Sequence, residues 1–357
     1  MSFSNAESNN TFRVALLPGD GIGPDVIAEA VKVLGEVERR LTGIRFEMTE
    51  YSVGAGEFLR SGNPLPEDTY QRICANDVIL LGAMGLPSVR WPNGQEMAPQ
   101  LDLRERMELY CGYRPVYLYH AGDTPLKNRA HIDFAIIRES TEGLFATRKQ
   151  RFSLSDNEVA DKLVVTRYGA ERVFRSAFRI ARTRRNKVTL VDKANVLPSM
   201  SYFRSIFDEV AKEFPGVEAD HVYVDAVTLY FLQRPESFDV LVTENLFGDI
   251  LSDLAAAIVG GMGMAPSGDI GDKYAVFQPS HGSAPDIAGK GIANPVATIL
   301  SAAMMLEWLG HPETLRGGRM IRDAVARVFA DPAKRTRDLG GTVSTAQMGD
   351  LITAAIV

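Results

Sequence analysis

An α/β architecture with its sheet buried between helices is predicted by two features of the chain. Short apolar, β-rich runs recur along it, and most lead into a loop and a helically spaced segment or follow one. The 357 residues, 45% hydrophobic and 24% charged, are also enough for a sizeable core divided over two domains.

Phe12 to Leu17 (FRVALL) reads as a buried strand, PGDGIGP as a loop, and Asp25 to Leu41 as a helix with Val26, Ile27, Ala30, Val33, Leu34, Val37 and Leu41 on one face. Asp77 to Leu81 (DVILL) and Phe134 to Ile137 (FAII) are further strands, running into GAMG and RESTEG. Helices over Arg172 to Ala181 and Phe203 to Phe214 precede strands at Lys187 to Val191 and Val222 to Val224. Phe238 to Val242 (FDVLV) leads into a helix from about Phe247. Arg151 to Lys162 is polar and reads as an excursion from the main body; Ile292 to Leu309, Arg319 to Phe329 and Thr345 to Ile356 read as helical.

A net charge of −6 and the lack of a basic stripe argue against a nucleic-acid partner. Two cysteines, Cys74 and Cys111, without a CxxC pair argue against a disulfide framework or thiolate metal site and fit a reducing cytoplasm. Met1 to Thr11 is polar and has no signal-peptide pattern, and Ile292 to Leu309 contains Asn294, Pro295, Ser301 and Glu307, so it is expected as a buried helix rather than a membrane span.

Chemistry concentrates in four segments. In NLFGDILSDLAAA (Asn245 to Ala257), Asp249 and Asp253 are four apart on an otherwise apolar predicted helix, so both carboxylates share a face. Asp225, in VYVDAVTLY, is expected to end a strand and to add a third oxygen. Three carboxylates without nearby His or Cys suit a hard cation such as Mg2+ or Mn2+; the helix pair also reads as a terminal charge and a surface acid. Arg104, Arg114 and Arg138 form a basic set suited to gripping carboxylates, or to structural ion pairs, with Arg138 just past an apolar strand where α/β sheets place ligands. Lys193, after the strand VTLV, is a candidate general base. The loop HGSAPDIAGKGIANP (His281 to Pro295) would let backbone amides approach a phosphate or ribose, or is an ordinary surface loop. Asp286 would bind ribose hydroxyls and repel a 2′-phosphate, favouring NAD over NADP. Gly19, Gly21 and Gly23 alternate and do not form GxGxxG, so a Rossmann reading is weak.

Taken together and in order, LLPGDGIGP, DKANVL, NLFGDILSD and HGSAPDIAGKGIANP resemble the β-decarboxylating dehydrogenases, most closely the 3-isopropylmalate branch. The likeness spans almost the whole chain. It implies a non-Rossmann fold of two α/β domains flanking a cleft: an NAD-binding domain from residues 1–108 and 258–357, and a substrate, metal and dimerisation domain from residues 109–257. It also implies an NAD- and metal-dependent oxidative decarboxylase of a small dicarboxylate or tricarboxylate 2-hydroxy acid, working as a homodimer. By that likeness Arg104, Arg114 and Arg138 bind the malate carboxylates, and Asp225, Asp249 and Asp253 ligate the metal. Lys193 takes the hydroxyl proton, with Asp225 and Lys193 reaching across from the other subunit. Asn195 contacts nicotinamide, while His281, Gly282, Ser283, Ala284, Pro285, Asp286, Ile287 and Asn294 surround the adenosine.

The chain departs from the family in three places. Phe145, in RESTEGLF, stands where the family has a proton-donating tyrosine, and phenylalanine has no donor. Gln278 stands where glutamate is usual. Before Arg104 the segment QEMAPQLDL offers Met97, Gln100, Leu101 and Asp102 in place of a leucine wall, and Gln100 has the groups to hydrogen-bond a polar substituent. The resemblance thus implies 3-isopropylmalate as the best single substrate, with tartrate, D-malate and homoisocitrate as alternatives. A catalytically weak regulatory relative is a further alternative, opposed by the retained lysine and aspartates.

Overall fold

The structure, a computed structural model, describes residues 10–150, 152–155 and 157–357, with 152–155 described by backbone alone. The N-terminal residues 1–9, read as lacking a signal peptide, and two positions of the polar excursion, 151 and 156, lie outside the described residues.

The chain begins with β1 (Asn10–Gly19), α1 (Gly23–Arg40), β2 (Ile44–Glu50), α2 (Ala55–Ser61), α3 (Glu67–Cys74), β3 (Val78–Ala83) and α4 (Pro99–Arg106). It continues with β4 (Cys111–Tyr117), β5 (Asp133–Glu139), β6 (Phe152–Ser155), β7 (Glu158–Ala160), α5 (Arg167–Arg182), β8 (Lys187–Asp192) and α6 (Pro198–Ala211). Then come β9 (Glu218–Tyr223), α7 (Val224–Gln233), β10 (Val240–Thr243), α8 (Asn245–Ala257) and β11 (Pro266–Ile270). The last elements are β12 (Ala275–Pro279), α9 (Val296–Trp308), α10 (Pro312–Phe329) and α11 (Thr345–Ala354). The excursion is thus a two-stranded antiparallel ribbon, β6 with β7.

Contacts divide the chain into two units. The first takes the chain up to Asp102 and again from Tyr274 to Val357; the second is Leu103–Lys273. Expected limits at 108/109 and 257/258 lie close to the first crossing and short of the second, because β11 pairs antiparallel with β4 and so belongs to the second unit.

In the first unit β1 is flanked by β2 and β3, and β3 by β12, all parallel. Parallel strands need both faces covered, and α1 supplies one cover: Pro24 starts it, and Val26, Ile27, Ala30, Val33, Leu34 and Val37 are buried at helical spacing. Helix α9 is buried from Val296 to Leu306, nearly all round, which explains its mostly apolar sequence.

In the second unit the order is β11-β4-β5-β10-β8-β9. The β11, β4 and β5 pairings are antiparallel, whereas β5, β10, β8 and β9 run parallel. On one face α5 and α6 bury Phe174, Phe178, Phe203 and Phe207; on the other, α7 and α8 bury Phe231, Leu251 and Ala255 against Phe134 and Ile136. Because β5, β10, β8 and β9 run the same way, their carboxyl ends and the loops after them open on one side.

Asp225 does not end a strand as expected. Strand β9 stops at Tyr223, and Asp225 lies in the first turn of α7, where Val227 and Phe231, four apart, are both buried and draw VDAVTLYFLQ into a helix.

Candidate active site

Strand register gathers the basic residues on one sheet face. Asp269 of β11 faces Gly112 of β4, which in turn faces Arg138 of β5. Directly paired residues project to the same side, as does Arg114, two residues beyond Gly112. Gly112 contributes no side chain to this row; a Cβ there would come within 2.5 Å of Ser140 Oγ. Arg104, near the end of α4, donates from Nε to Asp269 Oδ2 at 3.0 Å. All three arginines and Asp269 are buried.

Arg138 donates from Nε and Nη2 to Asn245 Oδ1 at 2.9 and 2.6 Å, and from Nη1 to Asp249. Asn245 in turn donates to the Glu142 carbonyl at 2.9 Å. Burial, and after it Arg104, pushes the Arg138 guanidinium down to about 10, so it stays charged at neutral pH. Burial likewise lowers Arg114, against the pull of Asp269. For Asp269 burial favours the neutral acid, but Arg104, Arg114 and Arg138 outweigh it and hold the carboxyl below its ordinary range.

Helix α8 carries the two aspartates past this row. Glu244 caps it, accepting the Phe247 and Leu246 amides at 2.6 and 3.1 Å. Gly248 lets it approach β5: a Cβ there would lie 2.8 Å from Arg138 Cβ and Cγ. Asp249 and Asp253 project on the accessible side, Asp253 exposed and Asp249 with a side chain 46% exposed. Burial first, and then the Asp249 charge, raise the Asp253 carboxyl. A divalent cation would relieve that like-charge pair, so the donor set fits a hard metal. Among the described residues no three His, Cys, Asp or Glu side chains converge to hold a metal.

Asp225 is instead paired with Lys193, Nζ to Oδ1 at 2.8 Å, and Lys193 holds the Asp225 carboxyl below its ordinary range. Lys193 opens the turn after β8, in which Val196 and Leu197 donate to its carbonyl at 3.1 and 3.0 Å. The exposed Asn195 lies at the tip. Asp192, just before, is fully buried and accepts the Ala194 amide at 2.9 Å.

Phe145 lies in a 3-10 turn, half-buried, with its ring centroid 5.5 Å from the Arg138 guanidinium carbon. The turn leading to it is organised by Glu139, which accepts the Thr141 amide at 2.9 Å, the Thr141 hydroxyl at 2.5 Å and the Glu142 amide at 2.5 Å. Burial pushes the Glu139 carboxyl up to about 7, against those hydrogen bonds.

The remaining expected residues belong to the first unit. Gln100 and Leu101 are half-buried in the first turn of α4, and Gln100 Oε1 is buried without a hydrogen-bond partner. His281 is half-buried, with Nδ1 2.9 Å from the Gly282 carbonyl oxygen; Nε2 is buried without a partner, and burial keeps the ring below its ordinary pKa and so neutral at pH 7. That orphan nitrogen fits a ligand group. Gly282, Pro285 and Asp286 are exposed; Ala284 and Ile287 pack on Ile22 and Val26. Ser283 donates to the Gly85 carbonyl at 2.5 Å, and Asn294 accepts the Val296 amide at 3.1 Å and donates to Asp338 at 3.1 Å. Gln278 is buried. The glycines of PGDGIGP have a local reason: Ile22 donates to the Ser283 carbonyl at 2.8 Å, and a Cβ on Gly21 would lie 1.9 Å from that oxygen. Asp20 accepts the amides of Ala55, Gly56 and Gly85, each at 2.8 Å.

Asp269, Asn245 and Asp192 were not singled out by sequence. Asn245 and Asp192 sit inside segments that were, each at or just after the end of an apolar strand; Asp269, between Gly268 and Ile270, has no such signal.

Buried guanidinium groups beside an acidic pair on α8 form a site in an α/β fold whose chemistry suits a small polyanion. The isocitrate/isopropylmalate dehydrogenase family model matches residues 13–352. A 3-isopropylmalate dehydrogenase from Mannheimia succiniciproducens is 44% identical over 363 residues, covering 97% of this chain and 100% of that one. Another from Moorella thermoacetica is 45% identical over 356 residues, covering 96% and 98%. A crystal structure of isocitrate dehydrogenase from Methylococcus capsulatus superposes with a TM-score of 0.86 at 39% identity, covering 97% and 99% of the two chains. The chain belongs to the isocitrate/isopropylmalate dehydrogenase family.

Proposed function

We propose that this protein oxidises and decarboxylates a 3-substituted (R)-malate using NAD+ and Mg2+ or Mn2+, with 3-isopropylmalate as substrate. The observation that carries this reading is the buried row of Arg114, Arg138 and Arg104 beside Asp249 and Asp253, in a chain whose full-length relatives are named 3-isopropylmalate dehydrogenases.

In this reading the three arginines bind the two malate carboxylates through charge-assisted hydrogen bonds. Lys193 takes the C2 hydroxyl proton. Asp225, Asp249 and Asp253 would hold the cation, Asn195 would face nicotinamide, and the His281 to Ile287 loop with Asn294 would hold adenosine. When bound, NAD+ would supply a hydride acceptor and the cation would supply Lewis-acid polarisation at the C2 oxygen, the chemistry that oxidation and loss of the β-carboxylate as CO2 require. Phe145 orders Arg138 by its ring but has no proton to return to the carbon that loses CO2, so that proton comes from solvent or another group.

In this reading the protein is a homodimer, and one copy lends its Lys193–Asp225 pair to the other's site. Leu229 and Leu232 on α7 and Ile250 on α8, 57, 48 and 58% exposed, offer an apolar surface for it. The enzyme is placed in the cytoplasm in this reading, and among the described residues no helix is long and apolar enough to cross a membrane.

The test is NADH and CO2 release with Mn2+ and NAD+ against 3-isopropylmalate, D-malate, tartrate, isocitrate and homoisocitrate, with the mass in solution measured alongside. Equal NADH and CO2 from 3-isopropylmalate is the expected result. NADH without CO2 would overturn the decarboxylation step, turnover of another acid would replace the substrate, and silence across the panel would overturn the enzymatic reading in favour of a regulatory one.

A further inference from the structure

Asp269 is a buried anion in the middle of a cationic row. Its side chain is 1% exposed and its backbone is fixed in the β11–β4 pairing. One carboxylate oxygen accepts Arg104 Nε at 3.0 Å, and the other is 3.5 Å from Ser140 Oγ. Across the vacant side-chain position at Gly112 stands Arg138, with Arg114 on the same face. The carboxylate therefore cannot rotate into water, and its charge acts on every group the arginines bind.

We infer that Asp269 sets the charge class of the substrate, admitting a dicarboxylate with an uncharged C3 substituent and rejecting one that brings a third carboxylate. The inference rests on the proposed role of the arginine row as the seat of the substrate carboxylates. A divalent cation would balance Asp249 and Asp253, and Lys193 balances Asp225. The guanidinium charges of Arg104, Arg114 and Arg138, less the one offset by Asp269, then balance two carboxylates. A third would be buried without a counter-charge, which is costly in a water-poor site. The ionisation of Asp269 at neutral pH is consistent with this balance, because the surrounding arginines hold its carboxyl low.

Replacing Asp269 with asparagine keeps an oxygen to accept Arg104 Nε and removes only the charge, so discrimination should shift while the row remains. Calorimetric dissociation constants for 3-isopropylmalate and isocitrate, measured with Mg2+ on the whole protein, would test this. Wild type is expected to favour the dicarboxylate, and Asp269→Asn to move the ratio toward the tricarboxylate by on the order of tenfold. Asp269→Ser is the second neutral variant should asparagine fail to fold, and the wild-type preference alone needs no variant. Tighter isocitrate binding by wild type, or a ratio unchanged within about twofold in the neutral variants, would overturn the inference. If 3-isopropylmalate is turned over while the ratio stays fixed, the proposed function stands and Asp269 is only a structural partner of Arg104. If wild type binds neither acid, the arginine-row reading falls and takes the inference with it.

Discussion

Arg204 grips the buried carboxylate of Asp192 with two hydrogen bonds, Nε to Oδ2 at 2.7 Å and Nη2 to Oδ1 at 2.6 Å. Because Asp192 Oδ1 also accepts the Ala194 amide, the pair fixes both sides of Lys193. Arg204 is a positioning residue in this arrangement. Arg204→Ala leaves a buried carboxylate without its cation and should cost about 3 kcal/mol of stability. It should also lower kcat more than it raises KM, because Lys193 loses its fixed setting. Arg204→Lys, which retains charge but not the fork, should recover stability more than rate. Urea unfolding and steady-state kinetics of both variants check this; a stability loss with kcat and KM unmoved would make the pair purely structural.

The aspartates of α8 predict a metal response without any substrate. Mn2+ should raise the melting temperature of the wild type, by the equivalent of about 2.7 kcal/mol at a hundredfold excess over Kd. Asp249→Asn and Asp253→Asn should each lose most of that gain. Since burial and Asp249 raise the Asp253 carboxyl, acid should weaken the response first by protonating Asp253, so the Mn2+ gain should shrink as pH falls into the carboxylate range. Thermal melts with and without Mn2+ across that range decide it; an equal gain in both variants would place the metal elsewhere.

Glu139 predicts a pH-dependent stability of unusual sign. Its carboxyl ionises near 4.5 in the unfolded chain and near 7 when folded, because it is buried. Between those values the native state keeps a proton that the unfolded chain releases. The contribution is therefore full below the lower value and is lost as pH rises through the upper one, by roughly 3 kcal/mol. Glu139→Gln should gain on wild type steadily from pH 5 to pH 8. Denaturant unfolding at each pH measures the difference, which a flat offset would contradict.

Gly248→Ala reverses an ordinary expectation. Inside a helix that substitution normally stabilises by about 1 kcal/mol. Here the added methyl meets Arg138 Cβ and Cγ at 2.8 Å and Thr243 Cγ2 at 3.1 Å. The variant should lose about 1–3 kcal/mol through overpacking and should raise KM as Arg138 shifts. A melting temperature at or above that of wild type would show that α8 and β5 have room to part.

Much of this was legible in the sequence because periodicity and local chemistry coincide there. The strands FRVALL, DVILL and FAII and helix α1 stand where apolar spacing put them, since burial on both faces of a parallel sheet leaves an unmistakable run. VDAVTLY was misread at its boundary because β-branched and aromatic residues suit strands, whereas Val227 and Phe231 are buried by helical spacing. Asp269 escaped notice for a different reason. Its importance comes from register across β11, β4 and β5, which sequence separation hides: Arg104 lies 165 positions away. Asp192 and Arg204, only 12 apart, are similarly joined by the fold rather than by a motif.

Helix α8 holds two obligations in a single register. Leu251 and Ala255 anchor it in the core while Asp249 and Asp253 extend from its accessible side. Inserting or deleting one residue near its start would turn everything downstream by about 100°, swinging both acids away and dragging apolar side chains into water at the same stroke. Misfolding would thus report any slip that disarmed the site. Point substitutions at the acids themselves carry no such alarm, so descendants of this chain can drift to inactivity by changing one carboxylate, while frame slips in the helix are removed before their chemistry is ever tested.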